Sequence, residues 1–320
     1  MELNNVRLLQ VWQYAAQAER SLDQVVATAR RYGFTGVLVK AIDGLTWMGD
    51  VRAERPHADA LHSVEQAWAQ RAQVNAAGLQ YCLWTVPLWR EDRIAQARLS
   101  AELTGACDAL FLDVEPYPEF GGANQPVGDA AAFMSTLRSI APLATVVLQP
   151  DPRPARMNEI RAAEWLPHCN GLAGQHYWDT FATDDPAAQM QQAIESAKRF
   201  NVTAIPTLPL ASSPELLQEA IATLRQAGVT SWCAWRLGVG SEASLAVAGG
   251  GGAARLAGAG AVAALPAPTL DRTLTRTTIA DVLGGWRGRL AAGPLSPTEA
   301  AQAAFEIRSA ADAIERGEAS

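Results

Sequence analysis

Short runs of strand character alternate eight times with longer helical patterns between Val6 and about residue 240 of the chain. The strand-like runs are Val6–Tyr14, Gly36–Ile42, Gln80–Val86, Ala109–Val114, Thr145–Gln149, Gly171–Tyr177, Thr203–Leu208 and Ser231–Leu237. Between them lie stretches with helical spacing. The first runs from a Ser21 cap to Arg31, with Asp23 in its opening turn and Gly33 as its stop. The others are Ser63–Ala77, Glu91–Thr104, Gly128–Ile140, Met157–Leu166, Pro186–Phe200 and Pro214–Gln226, with a weakly marked eighth beginning at Glu242–Val247. Gly78, Gly105 and Gly228 supply further stops.

Strands alternating with helices of this length require a parallel sheet, because a parallel neighbour is reached only by a crossover. Eight such units match a closed barrel. An open, doubly wound sheet is the alternative. It has fewer units and a glycine-rich first loop, and the loop Ala15–Arg20 contains no glycine. The expected fold class is therefore α/β, a (β/α)8 or TIM barrel with a short C-terminal helical appendage. The barrel is assigned to residues 1–245 and a Gly/Ala-rich linker to 246–268. A helical segment at 269–320 contains amphipathic patterns at Thr277–Leu290 and Pro297–Arg316. Two such helices bury little core alone, so residues 269–316 are expected to pack on the barrel, self-associate or dock to a protein partner.

Composition removes several function classes. The net charge is −7, and the 26 Lys and Arg residues are scattered rather than gathered into a stripe, so no nucleic acid is expected as a partner. No run is long and apolar enough for a membrane span. The Met1–Arg7 start has no signal-peptide pattern, so the protein reads as cytoplasmic as synthesised, with release or export by a leaderless route left open. Cys82, Cys107, Cys169 and Cys233 have no CxxC spacing and sit in or beside apolar runs, which suits buried free thiols. Four histidines without recognisable pairing point to no metal, and no P-loop, GxGxxG, HExxH or GxSxG motif calls for a cofactor or a serine nucleophile.

The run from Asp108 to Glu115, Asp-Ala-Leu-Phe-Leu-Asp-Val-Glu, carries the most chemistry. Strand side chains alternate, so Leu110, Leu112 and Val114 share one face, while Phe111, Asp113 and Glu115 share the other. The outer face of a barrel lies under helices and must be apolar. That sends Asp113 and Glu115 inward, at the C-terminal strand end where barrel enzymes keep their active sites. Two acids in one mouth repel, which raises one pKa and sets a proton donor beside a carboxylate. Glycosidic cleavage needs that arrangement. A structural reading is also open, in which the pair stabilises the mouth through Lys40 on strand two.

Strand four resembles the chitinase-like glycoside hydrolases of family 18, whose signature is Asp-x-x-Asp-x-Asp-x-Glu. Asp108, Asp113 and Glu115 match three of its acids, and Phe111 stands at the fourth position. The Asp-x-Glu pair is also similar to the lysozyme-type barrels of family 25. In those, strand two often carries a Lys before an acidic-Gly turn, as in Lys40-Ala-Ile-Asp43-Gly44, but their strand-one Asp has no match here. The resemblance implies Glu115 as general acid. Asp113 would assist attack by the substrate's own 2-acetamido group, in a retaining reaction on an N-acetylhexosamine glycan such as peptidoglycan or chitin. It further implies Tyr177 on strand six as an acetamido contact and Trp235 on strand eight as the sugar floor, although Trp232 is an equal candidate for the inward position.

Gln175 and Asp179 share the Tyr177 face, and His176 faces the other way as a structural residue. Gln149 and Asp151 at the end of strand five, with Lys40 and Trp12, complete the expected glycan-binding set. Trp12, Trp47, Trp84, Trp89, Trp178 and Trp235 all fall near strand ends, which favours a carbohydrate groove. The long Gly121–Pro126 loop is a candidate lid. Two rival readings remain. One is a non-catalytic barrel that binds glycan or builds a larger assembly, attached through its C-terminal helices. The other is an aldolase- or isomerase-like barrel with Lys40 as a Schiff-base amine.

Overall fold

The computed structural model describes residues 2–51, 57–120, 125–178 and 185–250. Asp179, residues 121–124 of the candidate lid, the linker beyond residue 250 and both C-terminal helical patterns lie outside the described residues.

The barrel strands are β1 (Arg7–Val11), β2 (Gly36–Asp43), β3 (Gln80–Val86), β4 (Ala109–Val114), β5 (Val146–Pro150), β6 (Gly171–Leu172), β7 in two pieces (Thr203–Ala204 and Thr207–Pro209) and β8 (Trp232–Trp235). Every neighbouring pair from β1 to β7 is parallel. The first piece of β7 pairs with β6 and its second piece pairs with β8, which returns to β1 and closes the ring. The chain is a (β/α)8 barrel.

The helices around it are α1 (Leu22–Tyr32), α2 (Val64–Ala76), α3 (Arg93–Gly105), α4 (Asp129–Ile140), α5 (Pro154–Glu159), α6 (Ala162–Trp165), α7 (Pro186–Arg199), α8 (Pro214–Gln226) and α9 (Glu242–Gly249). Their starts follow from short polar side chains that accept from first-turn N–H groups. Ser21, Ser63, Asp92, Asp185, Ser213 and Ser241 each do so, a contact that contributes about 1 kcal/mol per helix. Gly33 ends α1 at φ 86°, a left-handed conformation that costs glycine little.

Alternation along the strands separates two cores. Leu8, Leu38, Cys82, Trp84, Ala109, Phe111, Val147, Ala173, Ile205 and Cys233 fill the barrel. Leu83, Leu110, Leu112 and Val114 turn outward into the helix-facing core, with Phe133 of α4 and Trp165 of α6.

Five expectations change. The first strand ends at Val11, and Tyr14–Ala16 forms a 3-10 turn that drops Tyr14 into the outer core. The expected helix Met157–Leu166 is broken. Arg161 takes a left-handed φ of 54° between α5 and α6, with its Nε donating to the Gln125 carbonyl. Strand six is regular only at Gly171–Leu172, and beyond it single hydrogen bonds (Ala173 to Leu148, Gln175 to Pro150) carry the ladder upward. Strand seven is split around Pro206, which has no N–H to donate. In addition, α9 runs to Gly249, four residues into the stretch read as linker.

Candidate active site

The site lies at the C-terminal end of β4. A polar layer crosses the barrel. Gln149 Nε2 donates to Gln10 Oε1 and to Thr207 Oγ1, each at 3.0 Å, and Thr207 Oγ1 donates to the Ala173 carbonyl at 3.1 Å. These side chains are sealed from solvent. Gln149 is therefore a barrel-crossing strut and not exposed to a ligand in the mouth.

Asp113 is the register partner of Gln149, and with Glu115 it emerges on the inner face, as alternation from Phe111 dictates. Asp113 is buried and Glu115 is partly exposed. Burial raises the Asp113 pKa well above the usual carboxylate range. The neighbouring Glu115 charge raises it further, Lys40 and the Gln175 hydrogen bond pull it down, and Asp43 pushes it up. The two acids meet at Gln175, whose Nε2 donates to Asp113 Oδ1 at 2.8 Å and to Glu115 Oε1 at 2.7 Å.

Lys40 reaches the same space from β2. Its Nζ lies 2.8 Å from Asp43 Oδ1 and 4.8 Å from the centre of the Trp84 ring. Residues three apart on a regular strand face opposite ways. Here the register shifts between Lys40 and Ile42, a bulge that returns Asp43 to the Lys40 side. Asp43 thus joins the site although alternation alone excludes it.

Aromatic rings line the mouth. Trp235 is the inward tryptophan of β8. It stacks on Tyr177 (centroids 6.3 Å apart, planes at 27°) and meets the edge of Trp84 at 5.9 Å. Trp232 faces outward, where its Nε1 donates to the Ala248 carbonyl in α9. Trp12, just past β1, lies under the Arg236 guanidinium, whose carbon is 4.4 Å from the ring centre and 5.9 Å from Trp235. The Trp235–Arg236 peptide is cis. Sequence reasoning missed Arg236, since a lone Arg after a strand carries no distinguishing signal.

Other expected residues serve elsewhere. Asp151 is buried and saturated, with Arg153 donating to both its oxygens and Tyr117 Oη donating at 2.8 Å. Burial would raise its pKa, but these donors outweigh it and hold the carboxyl below the usual range. Asp108 sits at the opposite, N-terminal end of β4, paired with Arg71 at 2.7 Å and accepting from the Tyr81 N–H. His176 is buried against Gln189, with Nδ1 and Oε1 3.0 Å apart, and burial lowers its pKa to about 4. Of the six tryptophans expected near the groove, Trp89 packs on Trp165, Trp178 lies in an outer core and Trp47 packs against the helix-facing core. The other three belong to the barrel interior, Trp84 buried in it and Trp12 and Trp235 partly buried against it.

Against solved structures, the catalytic domain of a hyperthermophilic chitinase from Pyrococcus furiosus superimposes with a TM-score of 0.56, at 11% identity over 78% of this chain and 93% of that one. The likeness is one of fold, that of a (β/α)8 barrel. A GH5_18 protein from Streptomyces cattleya, solved in complex with GlcNAc, gives a TM-score of 0.52 at 11% identity, covering 78% of this chain and 80% of that one. An endo-beta-1,4-mannanase from Thermotoga petrophila gives 0.52 at 12% identity, covering 75% and 70%. The chitinase likeness supports the family 18 resemblance of strand four at the level of fold. No protein-family model matches the sequence, and no curated protein sequence matches it. Among the described residues no helix is long and apolar enough to cross a membrane, and no group of three His, Cys, Asp or Glu side chains is placed to hold a metal ion.

Proposed function

We propose that this protein is a retaining glycoside hydrolase that cleaves beside an N-acetylhexosamine in a chitin-like or peptidoglycan polymer. One observation carries the reading: a buried Asp113 with a raised pKa stands beside a partly exposed Glu115, in a barrel mouth where Trp12, Tyr177 and Trp235 are partly exposed.

Glu115 protonates the glycosidic oxygen as the bond to the anomeric carbon breaks. The carbonyl oxygen of the substrate's 2-acetamido group closes on that carbon and forms a cyclic cationic intermediate. The ionised form of Asp113 orients the acetamido N–H and stabilises the positive charge that develops there, so turnover requires Asp113 deprotonated although burial and the Glu115 charge favour its neutral form. Tyr177 holds the acetamido carbonyl, and Trp235 offers its face to the apolar C–H groups of the ring. Water, activated by Glu115 acting in reverse as base, opens the intermediate with net retention. Lys40 and Trp12 complete the sugar-facing wall. The expected partner is thus a glycan, with residues 269–316 available to a protein partner or a second copy.

A second reading is favoured by Phe111, which fills the barrel where the family 18 signature has an acid. In that reading the mouth binds glycan without cutting it. Incubation of wild type and Glu115→Gln with chitin oligosaccharides and cell-wall glycan separates the two. Products from wild type alone support the hydrolase, and binding by both without products supports the lectin-like barrel.

A further inference from the structure

Gln175 shares the Tyr177 face, and a glycan ligand is its simplest assignment. Its surroundings say otherwise. A primary amide nitrogen carries two hydrogens and accepts none. Both point at carboxylate oxygens, Asp113 Oδ1 at 2.8 Å and Glu115 Oε1 at 2.7 Å, while the Gln149 carbonyl is more distant at 3.5 Å. The opposite amide orientation would set Oε1 against two carboxylate oxygens, so the donor direction is fixed by its partners.

The backbone holds the fork still. Gln175 N–H donates to the Pro150 carbonyl on β5 at 2.9 Å, and Gln175 forms a parallel bridge with Thr207 on β7. The preceding residue must be glycine: a Cβ on Gly174 would meet His176 Nε2 at 2.8 Å and Pro152 Cβ at 3.0 Å. The buried His176 ring thereby anchors the turn from the other face.

Building on the hydrolase reading, we propose that Gln175 is a positioning residue that bridges the two acids and confines any proton they carry to Asp113 Oδ2 and Glu115 Oε2. A proton on Oδ1 or Oε1 directed at the amide would face an N–H. The amide thereby fixes which oxygen of each acid stays an acceptor. One neutral side chain sets the angle of both.

The test uses Gln175→Met, which keeps length and removes both donors, and Gln175→Glu, which keeps shape and offers at most one. Turnover of N-acetylated oligosaccharides is read as kcat and KM across pH. Separately, carbon-13 NMR follows the Asp and Glu carboxyls through a titration, with Asp113→Asn and Glu115→Gln assigning the pair. The bridge predicts that Gln175→Met lowers kcat about 10- to 100-fold with KM nearly unchanged. It also predicts that the higher of the pair's two titrations moves to higher pH, because a donor to the charged form is gone. Gln175→Glu must move the same titration in the same direction. A raised KM with an unmoved titration would make Gln175 a sugar ligand and overturn the proposal. If wild type turns over no glycan, the hydrolase reading fails, and the carboxyl titration alone decides the bridge.

Discussion

Lys40 and Asp43 face each other across 2.8 Å on the inner wall of the barrel although only three residues separate them on one strand. The bulge in β2 makes that possible, and Asp113 feels both ends of the pair. The Lys40 charge favours the ionised form of Asp113. Replacing it, as in Lys40→Met, raises the Asp113 pKa further, so the acid limb of the kcat/KM–pH profile moves to higher pH. Asp43→Asn has the opposite effect. Borohydride in the presence of a carbonyl substrate leaves wild-type Lys40 unmodified, as mass spectrometry of the Lys40 peptide would show.

Asp113 also carries a stability signature. Its folded pKa is raised above the unfolded value, chiefly by burial. Between those two values the folded state binds the extra proton, so this group's contribution is fullest below the unfolded pKa and is lost as pH rises through the folded pKa. Asp113→Asn removes the ionisable group while keeping an oxygen for Gln175. The expected result at pH 7 is an unchanged or higher melting temperature together with loss of turnover. A lower melting temperature would show that the charged form stabilises the fold.

His176 has the reverse sign. Burial holds its folded pKa at about 4, below the ordinary histidine value. The unfolded chain takes up the proton first, so this contribution is full above the unfolded pKa and fades as pH falls toward 4. Urea unfolding of wild type should weaken between pH 7 and pH 4.5. In His176→Gln that slope should shrink, whatever the variant's stability at pH 7.

Trp235 and Tyr177 should divide binding from chemistry. Trp235→Ala removes the ring that stacks on Tyr177 and abuts Trp84. KM for an oligosaccharide should rise about tenfold. Tyr177→Phe keeps the stack and loses the hydroxyl, so kcat should fall about tenfold with KM little changed. Equal effects on KM alone would place both rings in ground-state binding.

The sequence made the barrel legible because eight strand–helix units leave few topologies, and the serine caps at Ser21 and Ser63 fall where their spacing requires. Alternation placed Asp113 and Glu115 inward, with Leu110, Leu112 and Val114 outward, since β4 is regular throughout. It misread depth. Gln149 shares the inward face, in register with Asp113, but is sealed against Gln10 and Thr207, and Trp89 and Trp178, though near strand ends, fold back into outer cores. Asp43 was visible only as part of an acidic-Gly turn, because the bulge that brings it to the Lys40 side follows no period, and Arg236 escaped notice in a post-strand turn. The irregular β6 hid the Gln175 bridge, whose two partners lie about 60 residues away, at sequence separations of 62 and 60.

The central claim is that Glu115 donates the proton that breaks a glycosidic bond. The most direct measurement is product formation from N-acetylglucosamine oligosaccharides by wild type and Glu115→Gln, followed by chromatography, with circular dichroism to show that both are folded. The account predicts wild-type turnover, a loss of about 100-fold or more in the variant, and retained oligosaccharide binding by both. Equal turnover by wild type and Glu115→Gln would contradict it.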